Sequence, residues 1–270
     1  MTENDPRVPA TQSEAAIEAK GLTKTFYDPR QGEVRAASDI SFSCHYGEVF
    51  GLLGPNGAGK TTTLRMLSTV LRPTSGTATV AGFGVASQPL DVRRSIGFLS
   101  GSTGLYGRLT ARETLVYFGR LHGMDETTLD ARVEELLEVF GIGEFSSTRC
   151  EKLSTGMKQK VSIARSIVHD PPVLILDEPT LGLDVLVAST MLRVIEDCRE
   201  QGKCIIFSTH IMSEVEKLCD RMGVIHKGTL RAVGTLEELR QSTGKRYVED
   251  IFLRLVEHDE VEDCRERSAT

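Results

Sequence analysis

The chain has 270 residues, 40% of them apolar, which suits one large domain or one domain with subdomains around a substantial core. Its formal net charge of −6 argues against a general nucleic-acid binder, because such proteins carry a basic footprint. No stretch approaches the roughly 18 consecutive apolar residues of a membrane span, and the N-terminus lacks the apolar core of a signal peptide. We therefore expect a soluble, cytosolic protein whose membrane role, if any, comes through a partner.

Short strands dominate the first third of the chain. Residues 1–15 are polar and contain prolines, which predicts a disordered lead. Apolar residues then either alternate with polar ones or form short continuous runs, and both patterns are typical of strands. The predicted strands lie at residues 17–27, 37–45, 49–53, 76–82 and 96–99. Leucines at helical spacing predict a helix over 61–71.

The remaining chain changes first to helices and then to an alternation of strands and helices. Helices are expected at 111–122, 129–140 and 158–168, which indicates an inserted helical subdomain at about 105–168. Later strands are predicted at 173–176, 203–208, 221–225 and 230–233, with helices at 186–200 and 212–218. This alternation predicts a mainly parallel α/β core.

A glycine-rich loop follows the strand at 49–53 and precedes the helix at 61–71. It reads Gly54, Pro55, Asn56, Gly57, Ala58, Gly59, Lys60, Thr61, Thr62, and fits the phosphate-loop pattern. Its glycines let the backbone bring N–H groups towards an anion, and the helix N-terminus adds a favourable dipole. Lys60 can reach the terminal phosphates of a bound di- or triphosphate, and the Thr61 hydroxyl is a ligand suited to Mg²⁺. An ordinary glycine turn is the alternative interpretation.

Two carboxylates end the apolar run at 173–176. Asp177 and Glu178 would lie at the carboxyl edge of a parallel sheet, where such sheets bind ligands. Asp177 is then expected to hold Mg²⁺, directly or through water, and Glu178 to orient or deprotonate the attacking water. A solvated acidic turn would be the simpler interpretation if the phosphate loop were absent.

The order of the later motifs resembles the ATP-binding subunits of ABC transporters, over about residues 16–256. Leu153, Ser154, Thr155, Gly156 and Met157 resemble the signature of that family, which usually reads Leu-Ser-Gly-Gly-Gln. Asp184 follows in a stretch similar to the D-loop, and His210 stands where the family has its switch histidine. The resemblance implies a P-loop NTPase fold with a mainly parallel core sheet, an N-terminal antiparallel β subdomain and an inserted α-helical subdomain. That ATPase domain would span 16–240, and a helical tail would occupy 241–270.

The same resemblance implies a mechanism. Two such domains dimerise head to tail, and the phosphate loop of one faces Ser154 and Gly156 of the other across ATP. His210 would contact the γ-phosphate, and an aromatic side chain near the N-terminus would stack on adenine. Phe26 is the expected aromatic and Tyr27 the reserve, although each could equally belong to the core or to a strand surface.

This chain departs from the family pattern in two places. The family usually has a glutamine just after the strand at 96–99, which helps to ligate Mg²⁺ and links the ATP site to the membrane partner. Gly101 occupies that position here, so ligation would fall to water, Ser100 or Ser102. The signature has Thr155 for its first glycine and Met157 for its glutamine, but it keeps the serine and the second glycine.

These features favour an exporter. Residues 99–110 are similar to the ATPase subunits of sodium-efflux ABC systems, and residues 248–253 resemble a tail common in export-type ABC ATPases. The expected partners are a second ATPase domain, in a homo- or heterodimer, and a polytopic membrane permease that holds the chain at the inner face of the membrane. Two alternatives stay open: a soluble ABC ATPase acting on ribosomes or DNA, and a nucleotide-dependent regulator with weak hydrolysis.

Overall fold

The structure is a computed structural model, and it describes residues 15–30, 32–101 and 104–256. The predicted disordered lead therefore lies outside the described residues except for Ala15, which begins the first strand. The strands, in chain order, are β1 Ala15–Asp28, β2 Gly32–His45, β3 Val49–Leu53, β4 Ser75–Val80, β5 Phe83–Gly84, β6 Ile96–Leu99, β7 Val173–Asp177, β8 Cys204–Thr209, β9 Arg221–His226 and β10 Thr229–Gly234. The helices are α1 Lys60–Leu67, α2 Pro89–Ser95, α3 Ala111–Leu121, α4 Glu126–Val139, α5 Thr155–Ile167, α6 Val185–Glu200, α7 Met212–Leu218 and α8 Leu236–Thr243. Residues 248–256 are also helical.

A six-stranded sheet forms the centre of the molecule, in the order β10-β9-β3-β8-β7-β6. All neighbouring strands from β9 to β6 are parallel, and β10 adds an antiparallel edge through a hairpin. The strands β3 and β7 are buried at every position, as expected for a sheet covered on both faces. Because β8 pairs with both β3 and β7, the loops that follow these three strands meet at one edge of the sheet. The predicted parallel core is confirmed.

A second, antiparallel sheet has the order β2-β1-β4-β5. Its inner face joins one side of the central sheet in an apolar cluster that includes Ile17, Ile40 and Phe42 and also Leu64 and Leu67 from α1. The predicted antiparallel β layer is therefore confirmed. The helix α1 ends at Leu67 rather than at 71, because Thr69 has a φ of 62°, which a continuing right-handed helix does not allow.

The helices α3, α4 and α5 pack together against the other side of the sheet, in a cluster that includes Leu115, Val133 and Val161. Each begins at a side chain that caps it. Thr110 and Glu113 form a capping box before α3, Asp125 caps α4 and Ser154 caps α5. Short 3-10 turns at Gly143–Phe145 and Cys150–Lys152 connect α4 to α5.

The C-terminal part packs against the central sheet beside α7. Its helix α8 begins at Leu236, before the predicted tail boundary at 241, and starts with a capping box between Thr235 and Glu238. In the following helical segment Val248 and Ile251 are buried in a cluster with Leu53, the last residue of β3. No helix in the described part of the chain has the length and apolar character that crossing a bilayer requires.

Candidate functional site

The glycine-rich loop lies between the buried strand β3 and the N-terminus of α1. Gly59 caps α1 with a φ of 108°, and a Cβ atom at this residue would lie 2.5 Å from the Ala36 carbonyl oxygen. A Cβ atom at Gly54 would lie 2.3 Å from the Ile225 carbonyl oxygen. The loop therefore needs glycine at both positions, because any side chain would push its backbone away from its neighbours.

The side chain of Lys60 folds back into the glycine-rich loop that precedes it. Its ammonium group donates to the carbonyl oxygens of Gly54, at 2.7 Å, and of Pro55, at 3.2 Å. It also forms an ion pair with Glu178 Oε1 at 3.1 Å, although only 5% of the lysine side chain is exposed. The positive charge of Lys60 is thus held at the glycine-rich loop, whose N–H groups can bind an anion. It lies beside the carboxylate of Glu178, which follows β7, two strands away from β3 in the sheet.

Asp177 is the last residue of β7, and it is connected to both neighbouring loops. Its Oδ1 accepts a hydrogen bond from the Thr61 hydroxyl at 2.9 Å and another from the Ser208 hydroxyl at 2.7 Å. Hard oxygen donors of this kind are the ligands that Mg²⁺ prefers. The side chains of Thr61 and Asp177 therefore fit the predicted metal role.

Glu178 has an unusual backbone conformation and two side-chain partners. Its φ is 51°, a left-handed value that is uncommon outside glycine. Its N–H donates to the Ser208 hydroxyl at 3.0 Å and to the Ser208 carbonyl at 3.2 Å. Its carboxylate contacts Lys60 through Oε1, while Oε2 lies 2.8 Å from His210 Nδ1. The structure thus brings together the predicted lysine, glutamate and histidine.

One cavity of about 690 Å³ contains most of the predicted residues. From the loop and its helix it is lined by Pro55, Asn56, Gly57, Ala58, Gly59, Lys60, Thr61, Thr62 and Arg65, and from elsewhere by Ala36, Ser100, Gly101, Thr155, Gln159, Asp177, Glu178 and Leu181. Ser100 and Gly101 therefore lie at the site, where the family would place its glutamine. Ser102 lies outside the described residues.

The signature residues begin α5. The Ser154 hydroxyl accepts a hydrogen bond from the Met157 N–H at 3.3 Å, as predicted for a helix cap. Ser154 and Thr155 are exposed, Gly156 is half-buried, and Met157 packs against the core of the helical subdomain. Of these four residues, only Thr155 lines the cavity that also contains the phosphate loop.

Asp184 is exposed and caps α6, and its carboxylate accepts from the N–H groups of Leu186 and Val187, both at 3.0 Å. The two residues that follow it are apolar and lie at the surface: Val185 is 84% exposed and Leu186 is 81% exposed. An exposed apolar stretch next to a polar motif is typical of a surface that a partner covers.

Phe26 is not among the residues that line the cavity. It lies on β1 opposite Val34, with 41% of its surface exposed and the ammonium group of Lys24 5.2 Å from its ring centre. Tyr27, the reserve, is 78% exposed. The adenine contact of Phe26 stays a prediction.

The structure adds residues that sequence patterns did not single out. Ser208 joins Asp177 to Glu178, and Glu214 accepts hydrogen bonds from the hydroxyls of Thr180 and Thr209. The only sequence signal for this network is the position of the two threonines. Thr180 lies two residues after Glu178, and Thr209 lies immediately before His210.

Comparison with known proteins identifies the family. The model of the ABC transporter family matches residues 37–181. The ABC transporter ATP-binding protein NatA of Bacillus subtilis (strain 168) is 43% identical over 232 residues, which cover 86% of this chain and 94% of NatA. The daunorubicin/doxorubicin resistance ATP-binding protein DrrA of Streptomyces peucetius is 39% identical over 249 residues, which cover 92% of this chain and 72% of DrrA.

Solved structures agree. An ATP binding subunit of an ABC transporter superimposes with a TM-score of 0.82 at 30% identity, covering 89% of this chain and 99% of that one. The dimeric, post-hydrolysis cassette MJ0796 bound to ADP and Pi has the same fold, with a TM-score of 0.75 at 24% identity over 82% of this chain and 98% of that one. We conclude that this chain belongs to the ABC transporter family and is an ATPase with the fold of its ATP-binding subunits.

Proposed function

We propose that this chain powers export through a separate membrane permease, and that the residues around Lys60 and Glu178 carry the ATP hydrolysis. The observation that carries this proposal is the junction of three loops at one edge of the central sheet. There Glu178 lines the same cavity as Lys60 and contacts it, and its other carboxylate oxygen contacts His210, which lines an adjoining cavity with Gly54, Pro55 and Asn56.

The residues divide the work by their chemistry. The backbone N–H groups of residues 54–62 other than Pro55, together with the N-terminus of α1, bind the phosphates, and Lys60 neutralises their charge. Thr61 and Asp177 would hold Mg²⁺, which supplies charge stabilisation to the phosphates when bound. Phe26 remains the proposed adenine contact.

Glu178 acts on the attacking water. A carboxylate within hydrogen-bond reach of that water orients it and accepts its proton as the oxygen attacks the γ-phosphorus. His210 holds Glu178 Oε2 at 2.8 Å and so restricts the carboxylate to one orientation. We also propose that His210 senses the γ-phosphate, because 38% of its side chain is exposed and it lines a cavity together with Gly54, Pro55 and Asn56 of the phosphate loop.

Two substitutions test these roles. Glu178→Gln keeps the shape of the side chain but removes the carboxylate that acts as the base. We expect kcat to fall by about 10²- to 10⁴-fold while ATP binding persists. Lys60→Ala should weaken ATP binding itself. The matched controls are Glu216→Gln and Lys217→Ala, both exposed on α7, which should leave binding and turnover unchanged. Wild-type turnover in Glu178→Gln, or wild-type ATP affinity in Lys60→Ala, would refute the corresponding role.

We infer that two copies of the ATPase domain close around ATP. The exposed Ser154 and the half-buried Gly156 present the N-terminus of α5 outward, and this is an anion-binding arrangement. The exposed Val185 and Leu186 beside Asp184 would be covered in such a dimer. The dimeric MJ0796 cassette, which has the same fold, supports this arrangement by analogy. Thr155 and Met157 replace family residues at the interface without removing the serine or the second glycine.

Export is supported by the relatives. DrrA is named for drug resistance, and the sequence resemblance around residues 99–110 points to sodium efflux. The partner would be a polytopic permease at the inner face of the cell membrane, with the chain on the cytoplasmic side. Inverted membrane vesicles containing the chain and the membrane protein encoded beside it should accumulate radioactive Na⁺ with ATP. If instead they accumulate an amphipathic drug such as doxorubicin, the sodium assignment is wrong and export stands.

A second candidate function rests on Gly101, which lines the cavity but has no side-chain oxygen. A regulator that binds ATP and hydrolyses it slowly would need no metal ligand there. Steady-state ATPase measured with Mg²⁺, with and without the permease, separates the candidates, because only a transport ATPase should be stimulated by its permease.

A further inference from the structure

Glu214 is a buried carboxylate that the proposed mechanism does not use. It lies on α7 with 7% of its surface exposed. Its Oε1 accepts a hydrogen bond from the Thr180 hydroxyl, and its Oε2 accepts one from the Thr209 hydroxyl at 2.7 Å. A buried carboxylate is costly unless its oxygens are bonded, so each threonine hydroxyl is needed where it is.

The two threonines belong to the two segments that carry the proposed catalytic pair. Thr180 lies two residues after Glu178, and Thr209 lies immediately before His210. Both are buried, at 6% and 1% exposure. The Thr209 hydroxyl also accepts from the Ile211 N–H at 3.0 Å, which leaves its proton directed at Glu214. One carboxylate therefore connects the loop after β7 to the last residue of β8, which immediately precedes His210.

The contact between Glu178 and His210 depends on the spacing of these loops. On the sheet side, the Glu178 N–H bonds to Ser208. Further along the same segment, Thr180 is joined through Glu214 to Thr209, the residue before His210. Glu178 has a left-handed φ, so its backbone needs support from its surroundings to keep that conformation.

We propose that Glu214 is a positioning residue for ATP hydrolysis: through Thr180 and Thr209 it fixes the separation of Glu178 and His210. This rests on the roles proposed above for that pair. A purely structural carboxylate would affect stability alone. A positioning carboxylate affects kcat as well and leaves ATP binding unchanged, because the phosphate loop is held by other contacts.

The test uses isosteric changes in the full chain. Thr180→Val and Thr209→Val each remove one hydroxyl at nearly constant volume, and each should lower kcat by about 10- to 100-fold with KM for ATP within about twofold. Thr180→Ser keeps the hydroxyl and should retain wild-type kcat. The double variant Thr180→Val with Glu214→Ala should have the same kcat as Glu214→Ala alone, because both substitutions remove the hydrogen bond between Thr180 and Glu214.

The matched control is Thr114→Val in the helical subdomain. Thr114 is also fully buried, and its hydroxyl donates to the Thr110 carbonyl at 2.8 Å. This variant should lose stability and keep its kcat. If a valine variant does not fold, Glu214→Gln takes its place: it conserves the shape and can still accept one hydroxyl bond, so its kcat should lie between that of wild type and Glu214→Ala.

Three results would overturn the proposal: wild-type kcat in a folded Thr180→Val or Thr209→Val variant, equal loss in Thr180→Ser and Thr180→Val, or a loss confined to KM. Glu178→Gln, measured in parallel, separates this failure from failure of the proposed function. If Glu178→Gln is inactive while the valine variants are normal, only the role of Glu214 is wrong. If Glu178→Gln turns over normally, the catalytic pair itself is wrong.

Discussion

Replacing Ser208 with alanine tests the hydrogen bonds that its hydroxyl makes to the Asp177 carboxylate and to the Glu178 backbone. Ser208 is completely buried, and its hydroxyl donates to Asp177 at 2.7 Å and accepts from the Glu178 N–H at 3.0 Å. A hydrogen bond to a carboxylate contributes about 1.5–3 kcal/mol, whereas a neutral one contributes about 0.5–1.5 kcal/mol. The neutral bond is partly replaceable, because the same N–H also donates to the Ser208 carbonyl at 3.2 Å. Thr61 still donates to Asp177 at 2.9 Å.

The expected loss in the free energy of unfolding is therefore about 2 kcal/mol, most of it from the bond to Asp177. Turnover should fall as well, since Asp177 and Glu178 both lose a constraint on their orientation. A misplacement of about 1 Å can cost on the order of 10²-fold in rate, so we expect kcat to fall by about 10- to 100-fold.

Urea unfolding followed by circular dichroism measures the first quantity, and steady-state ATPase at a temperature where the variant is folded measures the second. The control is Ser166→Ala. Ser166 is also buried, and its hydroxyl donates to the Ile163 carbonyl within α5 at 2.7 Å, away from the carboxylates. It should cost about 1 kcal/mol or less and leave kcat unchanged. Equal effects of the two substitutions on stability and on kcat would refute the role given to Ser208.

Three further outcomes are expected. Burial and the stacked ring of His122 lower the pKa of His169 from 6.5 to about 4. Below pH 6.5 the unfolded chain therefore binds a proton at this residue that the folded chain does not, and the free energy of unfolding should fall by about 3 kcal/mol as pH drops from about 6.5 to 4. Urea unfolding at several pH values should find a smaller loss in His169→Gln, in which the lowered pKa of the half-buried His122 is the part that remains. Gly59→Ala should weaken ATP binding more than Gly57→Ala does, as measured by titration with a fluorescent ATP analogue. A Cβ atom at Gly59 would lie 2.5 Å from a carbonyl oxygen, whereas one at Gly57 would have no atom within 4 Å. Replacing the exposed Leu186 with serine should reduce the ATP-dependent dimer of the Glu178→Gln variant on size-exclusion chromatography without lowering the melting temperature of the monomer.

Periodicity located the elements that bury continuous apolar faces. The strands at Val49–Leu53 and Ile96–Leu99 and the helix at Met212–Leu218 have the predicted bounds. It missed α2, in which Val92 alone is buried, and the start of α8, in which Leu239 alone is buried. One buried side chain leaves no stripe at helical spacing, so periodicity could not predict these helices. The helix α8 starts with a capping box, whereas α2 starts with a proline and has no side-chain cap.

The site was predictable where its chemistry is local in sequence. The phosphate loop and the pair Asp177-Glu178 each carry their function within a few residues, and the structure places them in one cavity. The contacts that fix them are long-range: the Ser208 hydroxyl lies 31 residues from Asp177, and Glu214 lies 34 residues from Thr180. A serine near the end of a strand and a glutamate on a helix have no distinctive spacing, so only the folded arrangement of β7, β8 and α7 reveals these contacts.

Lys60 connects nucleotide binding to the proposed base. Its ammonium group divides its contacts between two loop carbonyls and Glu178. A triphosphate offers several charged oxygens at the same loop, so it competes with Glu178 for this lysine, and charge-assisted bonds to phosphate are stronger than those to carbonyls. We propose that, when Lys60 turns to the phosphate, Glu178 keeps its contact with His210 and its other oxygen becomes free to bind the water. The carboxylate would then be available as a base only when ATP is bound, and this would couple hydrolysis to binding through one side chain. Because Gly101 adds no side chain to this exchange, the proposed coupling depends on Lys60 and His210.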